Sequence, residues 1–373
     1  MKLTARVLLQ PSPEQATSLR ETLERVNAAC NHISACAWDT QTFKQFSLHR
    51  LTYYEVRSRF DLTAQMAVRA ISKVADAYKV GRKRQASFRP HGSIAYDDRV
   101  LSWRHPASTV SIWTVAGRQT IPFLAGERDR NLLAARRGES DLCLVDGRFY
   151  LFAACDVETP EPADVSDYLG VDLGVVNIAT DSDGAVYSGG QVNGLRRRHR
   201  RTRQRLQRIG SKSTKRLLAR RRRKERRFST NINHTIAKRI VATAERTNRG
   251  IALEDLTHIR ARVRVRRPQR ATLHSWSFSQ LRQFVAYKAA LVGVPVVAVD
   301  PRNTSRTCPR CGLIDKANRP SQDRFLCVAC NLAGLPDHFA AINIGRRAVV
   351  MQPDAAGRPP GGGHAPRAAS RLL

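Results

Sequence analysis

Three acidic residues in apolar surroundings are the first candidates for chemistry in this sequence. Asp172 interrupts the apolar run YLGVDLGVVNIAT, Glu254 lies in GIALEDL, and Asp337 opens an Ala-rich apolar segment. An ionised carboxylate inside an apolar strand is costly unless it is paired or coordinates a metal. Three such acids at one end of a sheet could hold two Mg²⁺ ions, which would activate a water and stabilise the leaving oxygen of a phosphodiester.

Each acid also has an ordinary structural interpretation. Asp172 and Glu254 would be polar residues at the ends of strands. Asp337 follows Pro336 and would cap a helix well. For each acid taken singly, the sequence leaves both interpretations open.

Four of the eight cysteines form a sharper pattern. Two CxxC pairs are separated by fifteen residues, the spacing of a zinc ribbon, which predicts one structural zinc held by Cys308, Cys311, Cys327 and Cys330. A site of this kind is closed, so the zinc would fold a short insertion. The other four cysteines lack metal spacing and are expected to pack as small apolar residues: Cys30, Cys36, Cys143 and Cys155.

A basic run follows the first acid, and residues 196–227 contain 18 Lys and Arg against the single Glu225. A charge run is often a solvated surface, but one this one-sided repels itself without counterions, which favours a nucleic-acid backbone as its partner. Helical spacing with a break near Gly210 predicts two antiparallel helices, with apolar contacts from Leu206, Leu217 and Leu218.

A second basic patch, RARVRVRR at 260–267, follows Glu254. Positive charge therefore flanks the candidate acids in sequence, as a nuclease groove requires. The residues predicted to bind nucleic acid are Arg196, Arg197, Arg198, Arg200, Arg201, Arg220, Arg221, Arg222, Arg223, Lys224, Arg262 and Arg264.

The overall charge points to the same class of partner. The 373 residues include 64 Lys and Arg against 31 Asp and Glu, for a net charge of +33. This excess predicts a polyanionic partner. No segment approaches the roughly 20 apolar residues of a membrane span, and MKLTARVLLQPSPEQ lacks the features of a secretory signal. The expectation is a protein of the prokaryotic cytosol, associated with the nucleoid and without a membrane partner.

Hydrophobic periodicity divides the chain into regions. Residues 2–9 alternate and predict a strand, 12–84 have the three-and-four spacing of two to four helices, and 87–157 have the period of strands. The strands predict a small β-barrel or sandwich that residues 2–9 join, which makes the helices an insertion. Within it, the dipeptide Asp146-Gly147 predicts a tight hairpin.

The second half has a different pattern. A linker is expected at 158–167, followed by the apolar strands YLGVDLGVVNIAT, GIALEDL and VPVVAVD with helical runs between them. This order predicts an α/β sheet covered by helices. The last 20 or so residues are rich in Gly, Pro and Ala and are expected to be disordered.

Several of these segments carry a family resemblance. GVDLGVVN, IALEDL, the stretch from HSWSFSQL to CPRCG, and CVAC followed by AAINI resemble the TnpB family of transposon-encoded RNA-guided DNA endonucleases, which is related to the compact type V CRISPR effectors. The resemblance is specific over residues 168–346. It implies a multidomain α/β protein with an RNase H-like (RuvC-type) nuclease domain and an inserted zinc ribbon. It also implies a small β-barrel wedge domain that is interrupted by a helical recognition lobe.

The resemblance divides the chain into seven segments: 1–10 as the first strand of the wedge, 11–86 as the recognition lobe, 87–160 as the wedge, 161–305 as the RuvC-like domain, 306–332 as the zinc ribbon, 333–350 as the end of the RuvC-like domain, and 351–373 as the tail.

The resemblance also implies roles for individual residues. Asp172, Glu254 and Asp337 match the three catalytic acids, which would hold two catalytic Mg²⁺ ions, and the four CxxC cysteines match the zinc ligands. The guide would be an RNA derived from the transposon end. Double-stranded DNA would be cut next to a short adjacent motif after the guide pairs with one strand. A monomer is the favoured assembly.

Three positions depart from the pattern of the family. Asn331, Leu335 and Phe339 occupy places where relatives usually have Gly, Asp and Asn, although the spacing from Cys330 to Asp337 is kept. Loss of an Asn beside Asp337 predicts fewer hydrogen bonds and reduced activity. The alternatives left open are a nuclease-inactive RNA-guided repressor, a compact type V CRISPR effector, and a guide-independent zinc-ribbon protein that binds DNA.

Overall fold

Strand β1 (Lys2–Leu9) buries every second side chain from Ala5 to Leu9, as its alternating sequence predicted. The computed structural model describes residues 1–105, 107–256 and 278–351. The chain divides into two units, Met1–Glu158 and Thr159–Leu373. Arg262 and Arg264 lie outside the described residues, as does nearly all of the expected tail.

The sheet of the first unit is nearly closed. Its strands are β1, β2 (Ile94–Tyr96), β3 (Leu101–Arg104), β4 (Thr109–Thr114), β5 (Gly117–Leu124), β6 (Arg136–Val145) and β7 (Arg148–Asp156). Their order is β2-β6-β7-β1-β5-β4-β3. The indole of Trp103, on one edge strand, donates to Ser140 Oγ at 3.3 Å beside the other edge, so the sheet curls back on itself.

The dipeptide Asp146-Gly147 forms the predicted hairpin between β6 and β7. Both residues have positive φ, 49° and 79°, as a two-residue type I′ turn requires. The hairpin prediction is confirmed.

Three helices lie between β1 and β2: α1 (Pro13–Asp39), α2 (Gln45–Phe60) and α3 (Ala64–Val80). Helix α1 starts at a capping box in which Ser12 Oγ accepts from the Gln15 amide and Gln15 Oε1 accepts from the Ser12 amide. The strand pattern did not predict a fourth helix, α4 (Glu127–Ala134).

Three cysteines of this unit are buried and one is half-buried: Cys30, Cys143, Cys155 and Cys36.

The second unit is built on a mixed sheet. Its strands β8 (Tyr168–Asp172), β9 (Asn177–Asp181), β10 (Val186–Ser188), β11 (Gly250–Glu254) and β12 (Val296–Val299) have the order β10-β9-β8-β11-β12. Strands β8, β11 and β12 are parallel, and β9 runs antiparallel to β8. The prediction of one strand across YLGVDLGVVNIAT was wrong. The chain reverses between Asp172 and Asn177, so Asp172 ends a strand.

Helices cover both faces of this sheet. They are α5 (Gly190–Ile209), α6 (Lys212–Arg246), α7 (Phe278–Ala290) and α8 (Pro336–Met351). Leu169, Val171 and Leu253 pack in one cluster with residues of α6 and α7. On the opposite face, Tyr168 and Ala252 pack in a cluster with residues of α8. Met351, predicted as the first residue of the tail, is the last residue of α8.

Two other boundaries differ from the predictions. The expected linker packs against the second unit, because the Ala163 amide donates to the Gly293 carbonyl at 2.8 Å and Val165 is buried. The ribbon strands β13 (Phe325–Leu326) and β14 (Ala333–Gly334) pair with each other, so the ribbon extends two residues past 332. Within the described part of the chain, no helix is long and apolar enough to cross a membrane.

Strand β8 and helix α8 touch backbone to backbone. A Cβ atom on Gly170 would lie only 1.9 Å from the Ala341 carbonyl oxygen, and one on Gly345 would lie 2.7 Å from the Tyr168 carbonyl oxygen. Glycine at both positions therefore sets the distance between the strand that ends in Asp172 and the helix that carries Asp337.

Gly170→Ala should destabilise the protein by about 1–3 kcal/mol, because backbone on both sides must move to admit the methyl group. It should also move α8 away from β8. Urea unfolding measures the loss, and Gly194→Ala is the matched control. Gly194 lies inside α5 with no atom within 4 Å of an added Cβ, so its replacement should be neutral or stabilising. Equal stability of the two variants would contradict the close approach.

Candidate active site

Asp172 and Glu254 meet at the carboxyl edge of two neighbouring parallel strands. The last registered pair of β8 and β11 is Val171 with Leu253, and each acid is the next residue of its strand. Side chains alternate between the faces of a sheet, so both acids belong to the face opposite Val171, which is the face covered by α8. Asp337 lies in the first turn of α8. Three separate elements thus bring the three acids to one edge.

The acids share one electrostatic environment. Burial raises the pKa of Asp172 well above its ordinary value, and the charges of Glu254 and Asp337 raise it further, whereas Arg319 opposes the shift. Burial also raises the pKa of Glu254. Like charges in one buried site favour protonation unless a cation joins them, so the arrangement fits a site for divalent cations.

Neighbouring polar side chains hold Asp337 and Glu254. Asn177 Nδ2 donates to Asp337 Oδ2 at 3.1 Å, and Arg319 Nη2 of the ribbon lies 3.8 Å from Asp337 Oδ1. Thr304 Oγ1 donates to Glu254 Oε1 at 2.7 Å. Sequence reasoning missed all three partners. Only Asn177 had a local signal, as a polar residue in the apolar run that follows Asp172.

A cavity of about 410 Å³ opens beside Asp337. Its walls come from β9, from the loop after Arg319 and from the start of α8, and include Asn177, Thr180, Gln322, Asp337 and His338. This cavity leaves one of the three acids accessible to a ligand.

The four CxxC cysteines form a compact cage. Cys308 Sγ lies 3.5 Å from Cys330 Sγ, and Cys311 Sγ lies 3.5 Å from Cys327 Sγ. A tetrahedral zinc with Zn–S bonds of about 2.3 Å places its sulfurs about 3.8 Å apart, close to these separations. Among the described residues, this is the only group of three or more His, Cys, Asp or Glu whose ligand atoms all lie within 4.8 Å of one another.

Local backbone amides favour the thiolate form that zinc requires at Cys327, whereas the pKa values of Cys311 and Cys330 are raised, in part by hydrogen bonds with neighbouring thiols. The amides of Cys330 and Ala329 lower the pKa of Cys327 to about 6, against the effect of desolvation. The cage therefore fits a structural zinc ribbon.

The structure accounts for two of the departures from the family pattern. Phe339 packs edge-to-face on Phe325 with ring centroids 5.0 Å apart, within the small apolar cluster of the ribbon. Asn177 supplies a hydrogen bond to Asp337 from strand β9. Asn331 has φ of 56°, a conformation that favours Gly and that Asn tolerates.

The basic run forms the predicted helical hairpin of α5 and α6, joined at Gly210 and Ser211. Glu225 of α6 accepts from Arg203 at 3.2 Å and lies 2.9 Å from His199 Nδ1, and both of those residues belong to α5. Leu206 is buried. Leu217 is exposed, so its predicted contact is wrong.

The predicted nucleic-acid ligands mostly face solvent. Arg196 and Arg221 are half-buried. The exposed ones are Arg197, Arg198, Arg200, Arg201, Arg220, Arg222, Arg223 and Lys224.

Comparison with known proteins gives matches across the second unit. Residues 152–259 match the family described as "Probable transposase" (OrfB_IS605), and residues 278–344 match the "Cas12f1-like, TNB domain" family. The CRISPR-associated endodeoxyribonuclease Cas12f1 of Sulfoacidibacillus thermotolerans is 33% identical over 215 residues, covering 53% of this chain and 50% of that protein.

Two further relatives carry other names. The TnpB-like protein MJ0751 of Methanocaldococcus jannaschii is 38% identical over 112 residues, covering 30% of this chain and 40% of that protein. The protein named "Putative RNA-guided DNA endonuclease InsQ" of Escherichia coli is 25% identical over 305 residues, covering 76% of this chain and 74% of that protein.

The second unit is thus an α/β domain with an acidic sheet edge and an inserted cysteine cage. The chain is related to the TnpB-like proteins and to the compact Cas12f effectors, which confirms the resemblance seen in its motifs. It spans about half the length of the Cas12f1 relative and less than half of the TnpB-like one.

Proposed function

We propose that this chain is a transposon-encoded, RNA-guided DNA endonuclease that cuts DNA next to a short adjacent motif. The observation that carries the proposal is the meeting of Asp172, Glu254 and Asp337 at one sheet edge. The mixed sheet beneath them fits the RNase H-like (RuvC-type) domain that the resemblance implies.

The three acids fit two Mg²⁺ ions. Hard divalent cations prefer carboxylate oxygens. Burial is the main cause of the raised pKa values of Asp172 and Glu254, and the charges of Glu254 and Asp337 raise that of Asp172 further. Two Mg²⁺ ions held by these acids would lower the pKa of an attacking water and neutralise charge on the leaving 3′ oxygen, which would give a 5′-phosphate product.

The protein's own side chains orient this centre. Asn177 holds Oδ2 of Asp337 and so selects which face of the carboxylate is offered to a cation. Arg319 lies near Asp337 and is about one quarter exposed, so its guanidinium can contact the phosphate of a bound DNA strand. Arg319 thereby offsets the negative charge that substrate adds to the acids.

The hairpin of α5 and α6 is proposed to bind nucleic-acid backbones. Its exposed arginines offer charge without a fixed pattern of base contacts, as recognition of a guide RNA or a heteroduplex by shape requires. Arg262 and Arg264 are proposed, from their charge alone, to bind nucleic acid as well.

The remaining parts follow the same proposal. The cage of four cysteines holds one structural zinc. The sheet of the first unit is the wedge and helices α1 to α3 are the recognition lobe, which together read the adjacent motif. The guide derives from the transposon end, and the protein acts as a monomer in the prokaryotic cytosol.

Purification with the native flanking DNA expressed alongside tests the proposal. Bound RNA is sequenced, and the complex is incubated with a library of matched DNA targets and Mg²⁺. A discrete RNA together with cut DNA is expected, and the cut sites give the adjacent motif. Absence of a discrete RNA would exclude a guided protein, and discrete RNA with bound but uncut DNA would exclude the nuclease.

A further inference from the structure

The segment between β12 and the cysteine cage is held by one face of helix α8. Arg347 donates to the Asp300 carbonyl at 2.7 Å, Asn343 donates to the Thr304 carbonyl at 2.8 Å, and Arg346 donates to the Pro309 carbonyl. These donors are spaced three and four residues apart and therefore share one side of the helix. Residues 300–309 are called the connector below. Their position thus depends on the position of α8.

Asn343 is the centre of this contact. It is 6% exposed, and its amide group donates to the carbonyls of both Thr304 and Thr307 at 2.8 Å. An amide NH₂ has two protons, and both are used. Asn343 therefore fixes the backbone of the connector at the position of Thr304.

Thr304 links the connector to the acid centre. Its hydroxyl lies 2.7 Å from Glu254 Oε1 and 3.1 Å from the Pro301 carbonyl, and its one proton goes to the nearer oxygen, that of Glu254. Thr304 and Glu254 are 3% and 7% exposed. This hydrogen bond restricts the orientation of the Glu254 carboxyl group.

We propose that Thr304 is a positioning residue for Glu254 and that Asn343 sets its place. Helix α8 carries both Asp337 and Asn343, so one rigid element positions one acid directly and a second acid through the connector. The consequence for DNA cleavage rests on the proposed nuclease function. The consequence for cation binding does not.

The test compares Thr304→Val, which removes the hydroxyl at similar volume, with Thr304→Ser, which keeps it. Thr304→Val should cut guided DNA about 10–100-fold more slowly and need more Mg²⁺ for half-maximal rate, with unchanged guide and DNA binding. Thr304→Ser should need the same Mg²⁺ concentration for half-maximal rate as the unchanged protein. Mn²⁺ binding to the protein–RNA complex without DNA, followed by electron paramagnetic resonance, should weaken in Thr304→Val alone.

Zinc content and thermal unfolding establish that each variant is folded. If Thr304→Val is not folded, Thr304→Ala takes its place in the comparison. Equal Mn²⁺ affinity and Mg²⁺ requirement in the Val and Ser variants would overturn the inference while leaving the nuclease intact. If the unchanged protein binds Mn²⁺ but does not cut DNA, the nuclease proposal fails and the Mn²⁺ comparison still decides the role of Thr304. If the unchanged protein neither binds Mn²⁺ nor cuts DNA, both the nuclease proposal and the proposed role of Thr304 fail.

Discussion

Asp172→Asn is expected to reduce guided DNA cleavage by about 10³-fold or more, with guide RNA and target DNA still bound. The amide keeps the size of the side chain and removes the charge on which cation binding depends. Loss of several kcal/mol of charge stabilisation in the transition state corresponds to a factor of this size. Single-turnover cleavage with saturating complex measures the effect.

Asp300→Asn is the matched control, because Asp300 is exposed and follows β12, the parallel strand that lies beyond β11 from the strand of Asp172. Its replacement should leave cleavage within a few-fold of the unchanged rate. Comparable losses in the two variants, or cleavage by Asp172→Asn at the unchanged rate, would contradict the assignment of Asp172.

Asp172→Asn should also make the folded protein more stable when no metal is present. The pKa of Asp172 is raised in the folded protein, so folding favours its protonated form. The folded state therefore loses stability as pH rises from the ordinary pKa of an aspartate through the raised value, and the neutral amide of the variant avoids this loss. In EDTA, Asp172→Asn should unfold at a higher temperature than the unchanged protein at neutral pH, and the difference should shrink toward pH 4. Saturating Mg²⁺ should reverse the order.

Cys327→Ser is the second change with a large expected effect. It should abolish zinc binding, lower the unfolding temperature and reduce cleavage by about 10²-fold or more. Structural zinc contributes on the order of 10 kcal/mol of apparent binding free energy, which becomes folding free energy when the site does not exist without metal. The ribbon has only a small apolar cluster around Phe325 and Phe339, so it cannot hold its fold by packing alone.

Unfolding of the ribbon should disturb the acids through two structural connections. Phe339 lies two residues after Asp337 and packs in the ribbon, while the connector enters the ribbon at Cys308 after contacting Glu254 through Thr304. Zinc content by mass spectrometry and cleavage rate should therefore fall together. Cys36→Ser, which removes a half-buried thiol of the first unit, should keep both. A Cys327→Ser protein that retains one zinc, or cuts at the unchanged rate without zinc, would contradict this coupling.

Local patterns predicted much of the chain correctly. The turn at Asp146-Gly147 follows from the positive φ angles that these residue types tolerate, and the basic helical hairpin follows from spacing and a break at Gly210. The cysteine cage follows from ligand spacing. Each of these features depends on residues close in sequence, so the sequence nearby contains the information needed to predict it.

Other features were mispredicted because tertiary contacts decide them. The apolar run through Asp172 shows no period that separates one strand from two, and only pairing with β11 and β9 shows where β8 ends. The packing partner of Phe339 was not predicted either: its ring lies in the ribbon cluster. That outcome depends on Phe325, which lies on a different strand.

The sequence by itself determined the chemical types at the site: three acids suited to hard cations, four thiols suited to zinc, and a basic run suited to a polyanion. Only the tertiary structure decided which side chains hold those acids. Asn177 reaches Asp337 across 160 residues, and Thr304 reaches Glu254 across 50. Such contacts arise from strand register and from the close approach of α8 at Gly170, which no local pattern encodes.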